Sequence, residues 1–162
     1  MRAADAGRYV AMGTSFVKIG GKGFWMRDSI LELWLRLLAL HIEEPGNGGS
    51  LAREIRDNWL LASRGCFGGH VPDGLEEAVS TLEGRDIVVA AIESLMKALT
   101  KGPKLLDHGT LNLLGFEGGE FIGDVESERL IQVGDAFLAL IAGRIQSDAS
   151  STEFMPGSHA AT

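Results

Sequence analysis

Apolar side chains crowd one stretch of the chain, at Ile30, Leu31, Leu33, Trp34, Leu35, Leu37, Leu38, Leu40 and Ile42. Glu32, Arg36 and Glu43 fall on one narrow polar stripe at helical spacing. The pattern predicts a central helix, buried over most of its circumference. Asp28 and Ser29 serve as its N-cap, and Pro45 with the glycines behind it stops it. Upstream, Tyr9 to Met26 is rich in β-branched and aromatic residues and is broken by Gly13, Gly20, Gly21 and Gly23. Two or three short strands fit, with "GGKG" supplying a tight turn where φ must be positive.

Downstream, Ser50 caps a half-exposed helix with Leu51, Ile55, Trp59 and Ala62 on its apolar face. A loop from Gly65 to Gly74 leads to a short third helix carrying Leu75, Val79 and Leu82. Asp86 then caps a fourth helix with Val88, Ala91, Ile92, Leu95 and Leu99 at core spacing, ended by Gly102 and Pro103. "TLNLLGF", from Thr110 to Phe116, fits a strand or one helical turn, because so short a run has no decisive period. A closing helix places Leu130, Val133, Phe137, Leu140, Ile141 and Ile145 on one stripe, and Asp124 reads as its N-cap.

These elements make the expected fold α+β and mainly α: an N-terminal β-hairpin or small antiparallel sheet packed on about five helices. Residues 1–147 form a single globular domain, and the small, polar residues 148–162 read as a flexible C-terminal tail. Expected core positions are Phe16, Val17, Ile19, Leu33, Trp34, Leu37, Leu38, Ile92, Leu95, Phe137 and Ile141. No repeat recurs at any period of 20 to 50 residues.

Composition adds limits. At 162 residues, 45% hydrophobic and 23% charged, the chain is long enough to bury a core without a metal or disulfide staple. Its single cysteine, Cys66, cannot form an internal bridge, which points to a reducing, cytoplasmic setting. The N-terminal residues lack the apolar run of a secretion signal. The stretch from Ile30 to Ile42 is too short to cross a bilayer and is interrupted by Glu32 and Arg36. A formal net charge of −7 argues against nucleic acid as a partner and favours a basic protein instead.

Catalytic motifs are missing from this sequence. "GGKG" lacks the earlier glycine and the following hydroxyl of a phosphate loop, since Phe16 stands where that glycine belongs. "GTSFV" lacks the second glycine of a nucleophile elbow. The four histidines are scattered, and Cys66 with His70 supplies only two zinc ligands, so no metal and no cofactor is expected. Asp107 beside His108 is the one acid/base pair the sequence offers, provided the fold brings the two side chains to bear on a common point.

What remains is electrostatic. "GFEGGEFIGDVESERL", from Gly115 to Leu130, carries Glu117, Glu120, Asp124, Glu126 and Glu128 in a glycine-rich setting. Helix physics accounts for Asp124 as a cap, and for Glu126 and Glu128 in a first turn where carboxylates meet the positive end of the helix dipole. Trp25 and Arg27, at a strand end, have the residue types enriched at interfaces.

The segments "GFWMRDSILELWL" and "GDVESERLIQVGDAFLALIAGRI" resemble the immunity proteins paired with bacterial polymorphic or secretion-system toxins. The resemblance implies a protein that neutralises a cognate toxin by tight binding. Glu117, Glu120, Asp124, Glu126 and Glu128, with Trp25 and Arg27, are the expected contact residues. The alternatives are a cytoplasmic interaction or regulatory domain of another kind, or a small enzyme using Asp107 and His108.

Overall fold

The computed structural model describes residues 13–42, 49–65, 70–117 and 119–158. Tyr9 to Met12, Glu43, Pro45 and Cys66 lie outside them. The elements are β1 (Thr14–Ile19), β2 (Lys22–Arg27), α1 (Asp28–Leu40), α2 (Ser50–Ala62), α3 (Leu75–Ala78), α4 (Leu82–Lys101), β3 (Leu105–Leu106), α5 (His108–Asn112), β4 (Val125–Glu126) and α6 (Ser127–Ile141). The fold is α+β and mainly α, with a two-stranded antiparallel hairpin at its start. No described helix is long and apolar enough to cross a membrane.

β1 and β2 pair antiparallel with Val17 opposite Phe24 and Phe16 opposite Trp25. The two-residue turn between them uses Gly20 and Gly21 at φ 60° and 80°, a left-handed pair that side-chain-bearing residues adopt only under strain. Alternation along β1 turns Ser15 and Val17 to the core and Phe16 away from it, so Phe16 and Val17 do not share the core as expected. Phe16 is half-buried instead, its ring 5.3 Å from that of Trp25.

α1 is the hub, in contact with β2, α2, α4 and α6. Leu31, Leu33, Trp34, Leu35 and Leu38 are fully buried, and the Trp34 ring lies 5.6 Å from Phe137 of α6. α4 and α6 pack closely at Gly134, where an added Cβ would meet the Met96 side chain at 2.5 Å. Of the remaining expected core positions, Ile92 and Leu95 are buried, while Ile19, Leu37 and Ile141 pack against the core half-covered.

Several local expectations give way to tertiary contacts. Asp28 begins α1 but does not cap it. Its carboxylate is buried and accepts the Ser15 hydroxyl (2.6 Å), while its N–H donates to Gly13 O. Ser50 is the first residue of α2, with Gly49 at the cap position. α4 starts four residues before Asp86, capped by Thr81, whose hydroxyl accepts the Gly84 N–H (3.1 Å). The run from Thr110 to Phe116 enters as the last turn of α5, not as a strand.

Of the stretch expected as a flexible tail, 148–162, the structure describes residues as far as Ser158. After α6 the chain runs back over the hairpin as a strap. Gly23 N–H donates to Ser147 O (2.9 Å) and the Ser147 hydroxyl donates to Gly23 O (2.9 Å). The Trp25 indole N–H donates to Ala149 O (2.9 Å), and Phe154 meets Phe24 edge-on at 5.8 Å. Farther on, Arg129 Nε donates to Gly157 O (2.7 Å), and both Pro156 and Gly157 are buried. Small polar residues dock here because they bring backbone carbonyls to donors that the hairpin and α6 leave unpaired.

Candidate functional site

The acid-rich stretch belongs to an excursion closed at its base. β3 and β4 pair antiparallel, Leu105 with Glu126 and Leu106 with Val125, and the Ser127 N–H and hydroxyl both reach Lys104 O. Inside this base, Asp107 caps α5, its Oδ2 accepting the Thr110 N–H at 2.9 Å. Asn112 clamps the far side of the loop: its Nδ2 donates to Phe121 O (2.9 Å) and its Oδ1 accepts the Phe121 N–H (2.7 Å). Phe121 packs edge-on to Phe116 at 5.8 Å.

Arg36, on the polar stripe of α1, holds this excursion against the body. Arg36 donates from Nε to the Ser63 hydroxyl (2.8 Å) and from Nη1 to Leu114 O, and its guanidinium lies 5.0 Å over the Phe116 ring. Burial, then the nearby Arg64 charge, lowers its pKa from the usual guanidinium value. Arg64 reaches Glu117 (2.6 Å), whose own N–H donates to Arg64 O. Arg36, one residue of the narrow polar stripe, is thus an anchor of the acidic loop together with Arg64.

The five acids of that loop divide by role. Glu117 is tied to Arg64. Asp124 is not the cap of α6; its Oδ1 accepts the N–H of His108 (3.0 Å) and lies 2.7 Å from His108 Nδ1. Glu126 closes the small sheet and stands at the cap position of α6 without a side-chain cap bond, while Glu128 alone occupies the first turn. Glu120 and Glu128 are exposed with no hydrogen bond or ion pair among the described residues. Trp25 spends its indole N–H on the strap. Arg27 is exposed at the end of β2 and, with Glu126, within electrostatic range of Arg129.

Two residues that the sequence reading passed over stand out on the same excursion. Leu113 is 85% exposed and Ile122 is 59% exposed, each next in sequence to a member of the clamped Asn112–Phe121 pair. For Ile122 the available signal was phase, since it belongs to no helical or alternating apolar stripe, whereas Leu113 lay in the short run Thr110 to Phe116, whose period was undecided.

His108 and Asp124 form the acid/base pair that the structure builds, in place of Asp107 and His108. The hydrogen bond to Asp124 raises the His108 pKa, and the same bond lowers that of Asp124. Ligand atoms of Asp107, His108 and Asp124 lie within 4.8 Å of one another, so the three could meet a divalent ion. All three are exposed, and the cleft formed by β1, α2 and α3 is lined by none of them. The pair has an oriented imidazole, exposed and away from that cleft.

Compared with known proteins, the chain matches no family model, no curated protein and no solved structure.

Proposed function

We propose that this chain is a cytoplasmic binding protein that neutralises a basic protein partner, in the manner of the bacterial toxin-immunity proteins that its hairpin-to-helix segment and closing helix resemble. One observation carries the reading. The excursion between β3 and β4 is held by its base pairing, by the Asn112–Phe121 clamp and by Arg36, Arg64 and His108, and it carries Leu113, Glu120 and Ile122 exposed, with Glu128 exposed in the first turn of α6 that follows. Exposed apolar side chains and carboxylates on a loop held in place by side-chain contacts are the residue types of a protein interface, and ordering the loop beforehand removes an entropic cost of binding. The net charge of −7 steers a basic partner to it and repels nucleic acid.

The experiment is a pull-down from the native host lysate with the tagged chain and with two variants, Leu113→Asp/Ile122→Asp and Glu120→Lys/Glu128→Lys. The expected result is one stoichiometric basic chain whose activity is inhibited when bound. The apolar variant releases it at any salt concentration, and the charge variant slows its association chiefly at low salt. Capture that persists unchanged in both variants would remove this surface from the function. A bound partner whose activity is unaffected would remove neutralisation.

A further inference from the structure

A second feature, independent of that surface, lies on the hairpin side of the molecule. β1, α2, the turn at residues 70–74 and α3 enclose an open cleft of about 450 Å³, within the size range of small-molecule sites. Its apolar wall is Phe16, Leu51, Ile55 and Trp59. Alternation along β1 puts Phe16 there, the same rule that removed it from the core. The polar rim carries Glu54, Asp73, Glu76 and Glu77 against one permanent cation, Lys18, and His70.

The walls are fixed in place. Trp59 donates its indole N–H to Asp73 O (3.0 Å), and Asp73 Oδ1 accepts the Leu75 N–H (2.9 Å), which sets the turn into α3. Glu76 is drawn across to the hairpin by the Gly20 N–H (2.6 Å). The Glu54 and Glu77 carboxylates have no hydrogen bond or ion pair among the described residues. Carboxylates around a low-dielectric recess focus a negative potential into it, which excludes anions and leaves neutral ligands without a partner for the charge. The same groups are too dispersed for a bare metal ion. Among the described residues, only Asp107, His108 and Asp124 bring three potential ligand atoms within 4.8 Å.

We propose that this cleft binds a small organic amine, with its ammonium at the acidic rim that Glu54, Asp73 and Glu77 line and its apolar body against Phe16, Leu51 and Ile55. An extended cation with an apolar stem satisfies both surfaces at once, and the Phe16 ring adds a face on which a cation can rest. Burial raises the Asp73 pKa, and an ammonium beside it would return that carboxyl toward its ordinary value.

The test is a two-dimensional amide NMR titration of the full chain with phenethylamine, alongside 3-phenylpropionate, which has a similar body and the opposite charge. Saturable shifts are expected with phenethylamine at the Trp59 indole N–H and the Gly74 and Ala78 amides. Binding should weaken roughly tenfold in the Glu54→Gln/Glu77→Gln variant, whose exposed substitutions leave the fold intact. 3-Phenylpropionate should leave these signals in place. No saturable shift up to about 10 mM phenethylamine, equal shifts with the anion, or unchanged affinity in the variant would each overturn the proposal. None of these outcomes bears on the Leu113 and Ile122 surface.

Discussion

Glu32 shows how one residue's role depends on what surrounds it. It is 1% exposed at the middle of α1, and its Oε1 has no hydrogen-bond partner. Its neighbours on the stripe fare differently: Asp28 takes the Ser15 hydroxyl, and Arg36 reaches Ser63 and Leu114. Burial without a partner disfavours the carboxylate and raises the Glu32 pKa to about 7. A folded pKa above the unfolded one means the neutral acid is favoured in the fold. That stability is present in full below the unfolded value of about 4.5 and is lost as pH rises through about 7. Glu32→Gln should therefore gain on the parent protein as pH rises, by up to about 3 kcal/mol at pH 8. Urea unfolding of both proteins at pH 5 and pH 8 checks this. A difference between them that does not change with pH would show that Glu32 is ionised in the fold.

At the scale of elements, the strap from Ser147 to Ser158 is the part that short-range pattern could not reveal. Its residues carry no apolar period, and it docks through backbone carbonyls, the Ser147 hydroxyl, the Phe154 ring and the buried Pro156 and Gly157. Gly157 is its tightest point, with φ at +83°, where a Cβ would lie 2.8 Å from methyls of Ile30 and Val133. Gly157→Val should detach the end of the strap and cost on the order of 1–3 kcal/mol through strain and overpacking. Faster hydrogen exchange at the Trp25 indole N–H, which reports the contact with Ala149, would accompany it. Unchanged exchange and stability would mean that the strap is held without Gly157. The pair β3 and β4 is hidden for a related reason: two-residue strands have too few positions to show alternation.

For the whole molecule, charge and fold separate cleanly at Glu120 and Glu128. Both are exposed and have no ion pair among the described residues, so replacing them with Lys should move the melting temperature by no more than about 2 °C, because exposed charges contribute little to stability. Glu117 and Asp124 are poorer choices for such a test, since reversing either breaks the contact to Arg64 or to His108 and perturbs the loop itself. Thermal unfolding followed by circular dichroism decides the point. A loss of many degrees in Glu120→Lys/Glu128→Lys would make these carboxylates part of the fold, and the interface reading would lose its exposed carboxylates.

Sequence by itself determined the helices with a strong apolar period, the hairpin with its paired glycines, the mainly helical α+β class and the acidic balance. Each of these follows from residues within a turn or two of one another. Tertiary structure alone decided where the polar groups went. Asp28 turned to Ser15, Arg36 to the acidic loop, Asp124 to His108 and Trp25 to the strap, leaving Glu32 buried without a partner. The reason is that hydrophobic burial is periodic along the chain, whereas a polar side chain satisfies its hydrogen bond with whichever partner the folded chain brings within about 3 Å, at any separation in sequence.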